Sequence, residues 1–211
     1  MKKKTLLIVL SILLVSVFSI STTIAFMTDK QEDKNVFTIG NVSIKLVESK
    51  VDEFGNKTNE ETSLLNNYHL MPGYTYSKDP TIIVENNSSD SYVRILITLN
   101  KIEELTEIYG YEFTLEDIYS NWNSNWSYVN KTTDGQTITY EYRYKNIVNG
   151  KNGDKRLEPL FTSFTIPEET TIEQLESIKD LKIEVKGQAI QKESFKSADD
   201  AWKSFKKQYA E

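Results

Sequence analysis

Cysteine is absent from the chain and histidine occurs once, at His69. Disulfides, cysteine nucleophiles, thiolate-bound zinc and any intrachain zinc site with two histidines are therefore excluded. Four prolines and eight glycines in 211 residues exclude collagen-like and proline-rich stalks. There is no internal repeat and no low-complexity tract. The sequence also lacks a P-loop, G-x-G-x-x-G, H-E-x-x-H, G-x-S-x-G and the spacing of an EF-hand. Apolar residues make up only 38%, yet 12 Tyr, 9 Phe and 3 Trp supply the bulk that disordered chains lack.

Basic charge is in deficit, with 25 Lys and Arg against 31 Asp and Glu. Three of the bases are Lys2, Lys3 and Lys4, and residues 1–25 carry no acid, so 22 bases face 31 acids beyond residue 25. A net charge of −9 there repels phosphate backbones, which argues against nucleic-acid binding.

Those three lysines open a secretory signal. Thr5 to Ile20 is an almost continuous apolar run, and Ser21-Thr22-Thr23-Ile24-Ala25 supplies the small residues of a cleavage site. Cleavage is expected between Ala25 and Phe26. An uncleaved membrane anchor is the alternative, but the run is shorter than the roughly 20 residues a span requires. Contact with the membrane is thus expected only before cleavage, leaving residues 26–211 as a single domain.

Beyond the signal the pattern is mainly β. Val42, Ile44 and Leu46 alternate with polar residues, while Phe37 and Ile39 have the opposite parity. A strand over Val36–Val47 with a bulge at Gly40-Asn41 accounts for both. Ser49 to Asn67 reads as a polar loop, and Met71-Pro72-Gly73-Tyr74 as a turn. Thr81–Glu85, Tyr92–Leu99, Leu160–Ile166 and Lys182–Gln191 read as strands. Trp126–Asn130 and Thr137–Lys145 form a hairpin around Asp134-Gly135. Thr114 with Asp117, Thr170 with Glu173, and Ser197 mark helix starts. Ala198, Ala201, Trp202, Phe205 and Tyr209 share a stripe in an amphipathic C-terminal helix. The expected fold is a jelly-roll-like β-sandwich with short connecting helices and that terminal helix.

Few residues carry chemistry. His69 is either a lone metal ligand or an ordinary histidine beside a turn. The pairs Glu103-Glu104, Glu168-Glu169 and Asp199-Asp200 are adjacent in sequence and read as solvated or capping carboxylates near helix starts. The run Asn149–Asp154 is a loop or a weak calcium site. Trp122, Trp126 and the row Tyr140, Tyr142, Tyr144 form either core packing or a flat platform for sugars. No catalytic, cofactor-binding or metal-binding residue is assigned.

Two segments carry a family resemblance. Thr23-Ile24-Ala25-Phe26-Met27-Thr28-Asp29 and Asn35-Val36-Phe37-Thr38-Ile39-Gly40-Asn41-Val42 resemble the entry of exported proteins with a SipW-type signal peptide, the TasA/camelysin family. Pro72-Gly73, Lys78-Asp79-Pro80, Asn86 and Tyr92-Val93-Arg94 match further, as does the ending Ala189-Ile190-Gln191, Phe195, Ala198, Ala201-Trp202 and Phe205. The resemblance implies a jelly roll released by a SipW-type signal peptidase of a Gram-positive cell, acting at the cell surface or in the biofilm matrix, sometimes as fibres. Camelysin-like members carry a metallopeptidase label, but with one histidine no peptidase residue transfers. The expectation is a secreted, non-enzymatic structural or surface protein without a cofactor. It would pair with itself or with related matrix proteins through an N-terminal assembly strand containing Phe37, Ile39, Val42, Ile44 and Leu46. The alternatives are a camelysin-like metallopeptidase and a carbohydrate-binding β-sandwich module.

Overall fold

The computed structural model describes residues 36–62, 66–110, 113–193 and 195–209. The expected cleavage junction, Ala25 and Phe26, lies outside the described residues, as do the side chains of Phe37, Ile39 and Tyr209.

The strongest alternating segment forms the centre of the molecule. Strand β6 (Ser91–Leu99) turns Val93, Ile95, Ile97 and Leu99 into the core, each no more than 1% exposed. It pairs antiparallel with β9 (Thr137–Tyr144) and with β12 (Ile183–Gln191). Beyond β9 lies β8 (Trp126–Asp134), and beyond β12 lies β1 (Val36–Ile39), giving a five-stranded sheet ordered β1-β12-β6-β9-β8. A four-stranded sheet, ordered β10-β5-β2-β3, contains β2 (Ile44–Val51), β3 (Lys57–Thr62), β5 (Thr81–Val84) and β10 (Lys155–Arg156). Ile44, Ile82 and Val84 of this sheet meet the inner face of the first. The packing is close at Gly187, where an added Cβ would lie 3.2 Å from Ile82 Cδ1 and 3.5 Å from Ile44 Cδ1. The chain is therefore a mainly β sandwich.

A small third sheet, β4 (Thr75–Ser77), β11 (Ser163–Thr165) and β7 (Tyr119–Ser120), extends the core with aromatic rings. Tyr119 stacks on Phe161 with centroids 4.0 Å apart, and Tyr76 stacks on Phe164 at 5.0 Å. Three short helices sit in the connections: α1 (Ile102–Tyr109), α2 (Leu115–Ile118) and α3 (Ile172–Ser177). As the spacing anticipates, Asp117 Oδ2 accepts from Thr114 N at 2.6 Å and caps α2. The terminal helix α4 (Ala198–Tyr209) starts at Ser197, whose Oγ accepts from Asp200 N. It lays Ala201, Trp202 and Phe205 against Ile190 on the outer face of the five-stranded sheet.

Four expectations are corrected. Val36–Val47 is not one bulged strand: the parity change marks a crossing between sheets. Gly40 has φ +86°, Val42 N donates to Gly40 O, and the chain resumes as β2 beside β5. The loop Ser49–Asn67 contains the end of β2 and all of β3. Asp52 Oδ1 accepts from Phe54 N and Asn56 N, and Gly55 at φ +78° closes the turn between them. β3 is an edge strand made of Lys-Thr-Asn-Glu-Glu-Thr, so no apolar alternation announces it. Leu160–Ile166 pairs only over Ser163–Thr165, although Leu160 and Phe161 are fully buried. Finally, α3 is capped by Thr171 and Gln174 rather than Thr170 and Glu173: Gln174 N donates to Thr171 Oγ1 and Thr171 N to Gln174 Oε1. Glu168-Glu169 lies in the preceding turn, where Thr170 N donates to Pro167 O.

Candidate functional site

The expected assembly strand divides into two parts with different tethers. Val36, Phe37, Thr38 and Ile39 form β1, which runs parallel to β12 from Val36 opposite Gly187 to Ile39 opposite Ile190. Parallel ladders are slightly weaker per residue than antiparallel ones, and each backbone bond contributes about 1 kcal/mol net. Among the described residues, β12 is the one strand that pairs with β1. Val42, Ile44 and Leu46 belong elsewhere. Val42 and Ile44 are buried in the main core and Leu46 packs against it. Only the first part is held by a single ladder.

Gly40 to Ser43 joins the two parts and is clamped from both sides. Asn41 N donates to Gln191 Oε1 at 2.8 Å, and Ser89 N donates to Asn41 O at 2.9 Å. Ser43 N donates to Ser88 Oγ, which donates back to Ser43 O. A Cβ at Gly40 would lie 2.7 Å from Gln191 Cβ, so close approach and positive φ both require glycine there. The link is a fixed pivot, and β1 projects from it along the sheet edge.

The opposite edge of the same sheet is β8. Its segment Val129–Asp134 is exposed, and Tyr128 and Val129 present apolar side chains to solvent. A register shift between Tyr128 and Asn130 leaves Val129 as the bulged residue. From Asn130 to Asp134 the pairing with β9 is regular.

Two charge networks lie away from these edges, one on the outer face of the five-stranded sheet and one in the four-stranded layer. On the outer face, Arg94 Nε donates to Gln188 Oε1 at 2.7 Å, and its Nη1 lies 3.3 Å from Glu141 Oε2. That second contact lacks the geometry of a directed hydrogen bond and acts as a charge pair. Arg143 Nε donates to Glu141 Oε1 at 2.7 Å and its Nη1 reaches Asp199 of α4. The Arg94 guanidinium also sits 4.2 Å from the Trp202 ring centroid, so α4 roofs a buried cation. Burial pulls the Arg94 pKa below its ordinary value, and the Glu141 charge opposes that shift. In the four-stranded layer, buried Lys78 pairs with Glu48 at 2.9 Å. Asp79 accepts from Ser49 N, Ser49 Oγ and Lys57 Nζ. Burial raises the Asp79 pKa, but the hydrogen bonds from Lys57 and Ser49 outweigh it and hold the carboxyl below its usual range.

The residues singled out for chemistry do not converge. His69 is exposed, and its carbonyl accepts from Tyr76 Oη at 2.9 Å. It stands at the rim of a cavity of about 400 Å³ lined by Leu105, Tyr109, Phe164 and Leu175. Among the described residues no three His, Asp or Glu side chains gather as a metal site. In the Asn149–Asp154 loop, Lys151 Nζ donates to Asp90 and Asp154 accepts from Asn86 N. The aromatic row is not a flat platform: Trp126, Tyr140 and Tyr142 are buried, and Trp122 stacks inward on Tyr142 at 5.1 Å.

No family model, curated protein or solved structure matches the chain. The β8 edge, unpaired on its outer side among the described residues, and the Gln191 clamp escaped the sequence reading. The exposed, polar second half of the hairpin's first strand, Asn130-Lys131-Thr132-Thr133-Asp134, was the available sign of an edge.

Proposed function

We propose that the chain is a secreted structural or surface protein of the cell envelope or biofilm matrix, built into fibres through its N-terminal strand. In this reading the fold is a jelly-roll-like member of the TasA/camelysin group, exported with a SipW-type signal peptidase, and it is not an enzyme. The observation that carries the reading is the position of β1. It is short, apolar, at a sheet edge, held by one parallel ladder, and joined to the core by a fixed link at Gly40–Ser43. Such a strand is suited to strand donation, in which one chain completes the sheet of the next. A contact of that kind does not close on itself and propagates a filament.

The test compares the mature protein, starting at Phe26, with a version lacking residues 26–39, by light scattering and electron microscopy. Concentration-dependent filaments are expected from the first and not from the second. A mature protein that stays monomeric at high concentration across pH and salt would sink the reading. Intact mass of the exported product checks the processing step: it should lack residues 1–25.

A further inference from the structure

We propose that the edge receiving the N-terminal strand is β8 of a second copy of this chain, and that β1 donates its outer side without leaving its own β12. The inference rests on the assembly reading above and names the surface that reading leaves open.

Strand direction supplies the first argument. β1 is parallel to β12, and β12, β6, β9 and β8 alternate in direction. β1 and β8 therefore run oppositely at the two ends of one sheet. When a second copy is set beside the first in the same orientation, its β1 meets β8 as an antiparallel neighbour, the more stable pairing.

Free backbone groups supply the second. Asp134 and Thr137 are opposite one another across a two-residue turn, with Gly135 at φ +55°. Such a turn closes on a hydrogen-bonded pair, and pairs alternate from there. Thr132 and Asn130 therefore bond to β9, while Thr133 and Lys131 aim N–H and C=O outward. The regular stretch Asn130–Asp134 is five residues long, enough to take the four of β1. The bulged, exposed Val129 and Tyr128 end that stretch with apolar surface.

A sheet continued this way gains five strands per copy. At about 4.8 Å per strand the rise is about 24 Å, with the strands across the fibre axis.

The experiment uses the mature protein with two kinds of change. Thr133→Pro removes an outward N–H without touching the β8–β9 ladder, and Thr133→Lys blunts the edge while keeping the backbone donor. Separately, Thr38→Cys with Ala189→Cys, opposite each other in the ladder, ties β1 to its own β12 by a disulfide in a chain that has no other cysteine. Pelleted filament mass, electron microscopy and fibre diffraction are the readouts. Both Thr133 variants are expected to melt like the parent and lose filaments. The cross-linked protein is expected to keep forming them, with a meridional spacing near 4.8 Å. Filaments from either folded Thr133 variant would overturn the inference. Loss of filaments on cross-linking would also overturn it and would instead support exchange of β1 onto a neighbour's β12, leaving the assembly reading intact. A parent protein that never assembles would overturn both.

Discussion

Removing one member of the Arg94–Glu141 pair should have unequal effects, and the structure fixes which is worse. Both side chains are about 3% exposed. Arg94→Leu takes away a guanidinium, but Glu141 keeps the charge-assisted bond from Arg143 Nε at 2.7 Å. The loss is then one electrostatic contact and the stacking against Trp202, roughly 2 kcal/mol. Glu141→Leu is different. It leaves Arg94 as a buried cation between Trp202 and Phe205, with Gln188 Oε1 as a neutral acceptor and Arg143 now repelling it without a carboxylate between them. Orphaning a buried charge costs about 3–5 kcal/mol. The double substitution removes the cation and its partner together and should fall below Glu141→Leu alone. Urea denaturation followed by tryptophan fluorescence measures all three, with m-values checked for constancy. Equal losses for the two single variants, or a larger loss for Arg94→Leu, would refute the assignment of Arg143 as the second partner of Glu141.

Gly187→Val should cost about 1–3 kcal/mol, read as a lowered urea midpoint, because its branches must enter the gap already occupied by Ile82 and Ile44. Trp202→Ala should release α4 and expose the Lys203 bond to trypsin while the sandwich core keeps its cooperative transition; unchanged cleavage would remove α4 as a separately docked element. The Asp79 carboxyl is held below its ordinary value of 3.8, so its stabilisation is complete above that value and is lost as pH falls through the lower folded value. Asp79→Asn should therefore flatten the acid limb of the stability–pH curve, and an unchanged limb would refute the network.

Elements whose burial is periodic were legible in the sequence. β6, β9 and β12 alternate because one face meets the second sheet, and α4 carries its stripe because it covers the outer face. β3 was not legible, since an edge strand with both faces wet needs no apolar residue. The crossing at Gly40–Ser43 was visible as a parity change but not as a change of sheet. A bulge and a crossing leave the same local trace, and only the partners Gln191 and Ser88, far away in sequence, separate them. The Arg94 site was hidden for a similar reason. An arginine on the outer face of a strand looks solvated until a helix more than a hundred residues later covers it.

The four edges of the two larger sheets are not equivalent, and this bears on how copies would join in the proposed assembly. In the second layer, β10 has two residues, and β3 carries Lys57, Glu60 and Glu61. Short length and charge are the usual means of keeping an edge unpaired. In the first layer, β1 is Val-Phe-Thr-Ile with no charge, and the regular five-residue stretch of β8 carries Lys131 and Asp134, which sum to no net charge. The protection there is uneven: the β8 bulge disrupts its first half and leaves Asn130–Asp134 in regular register. In the proposed assembly, sheet extension is therefore directed to one layer, and within that layer to the antiparallel match between β1 and β8. If the protein instead associated through β3, reversing the charges of Glu60 and Glu61 would alter assembly and Thr133→Lys would not.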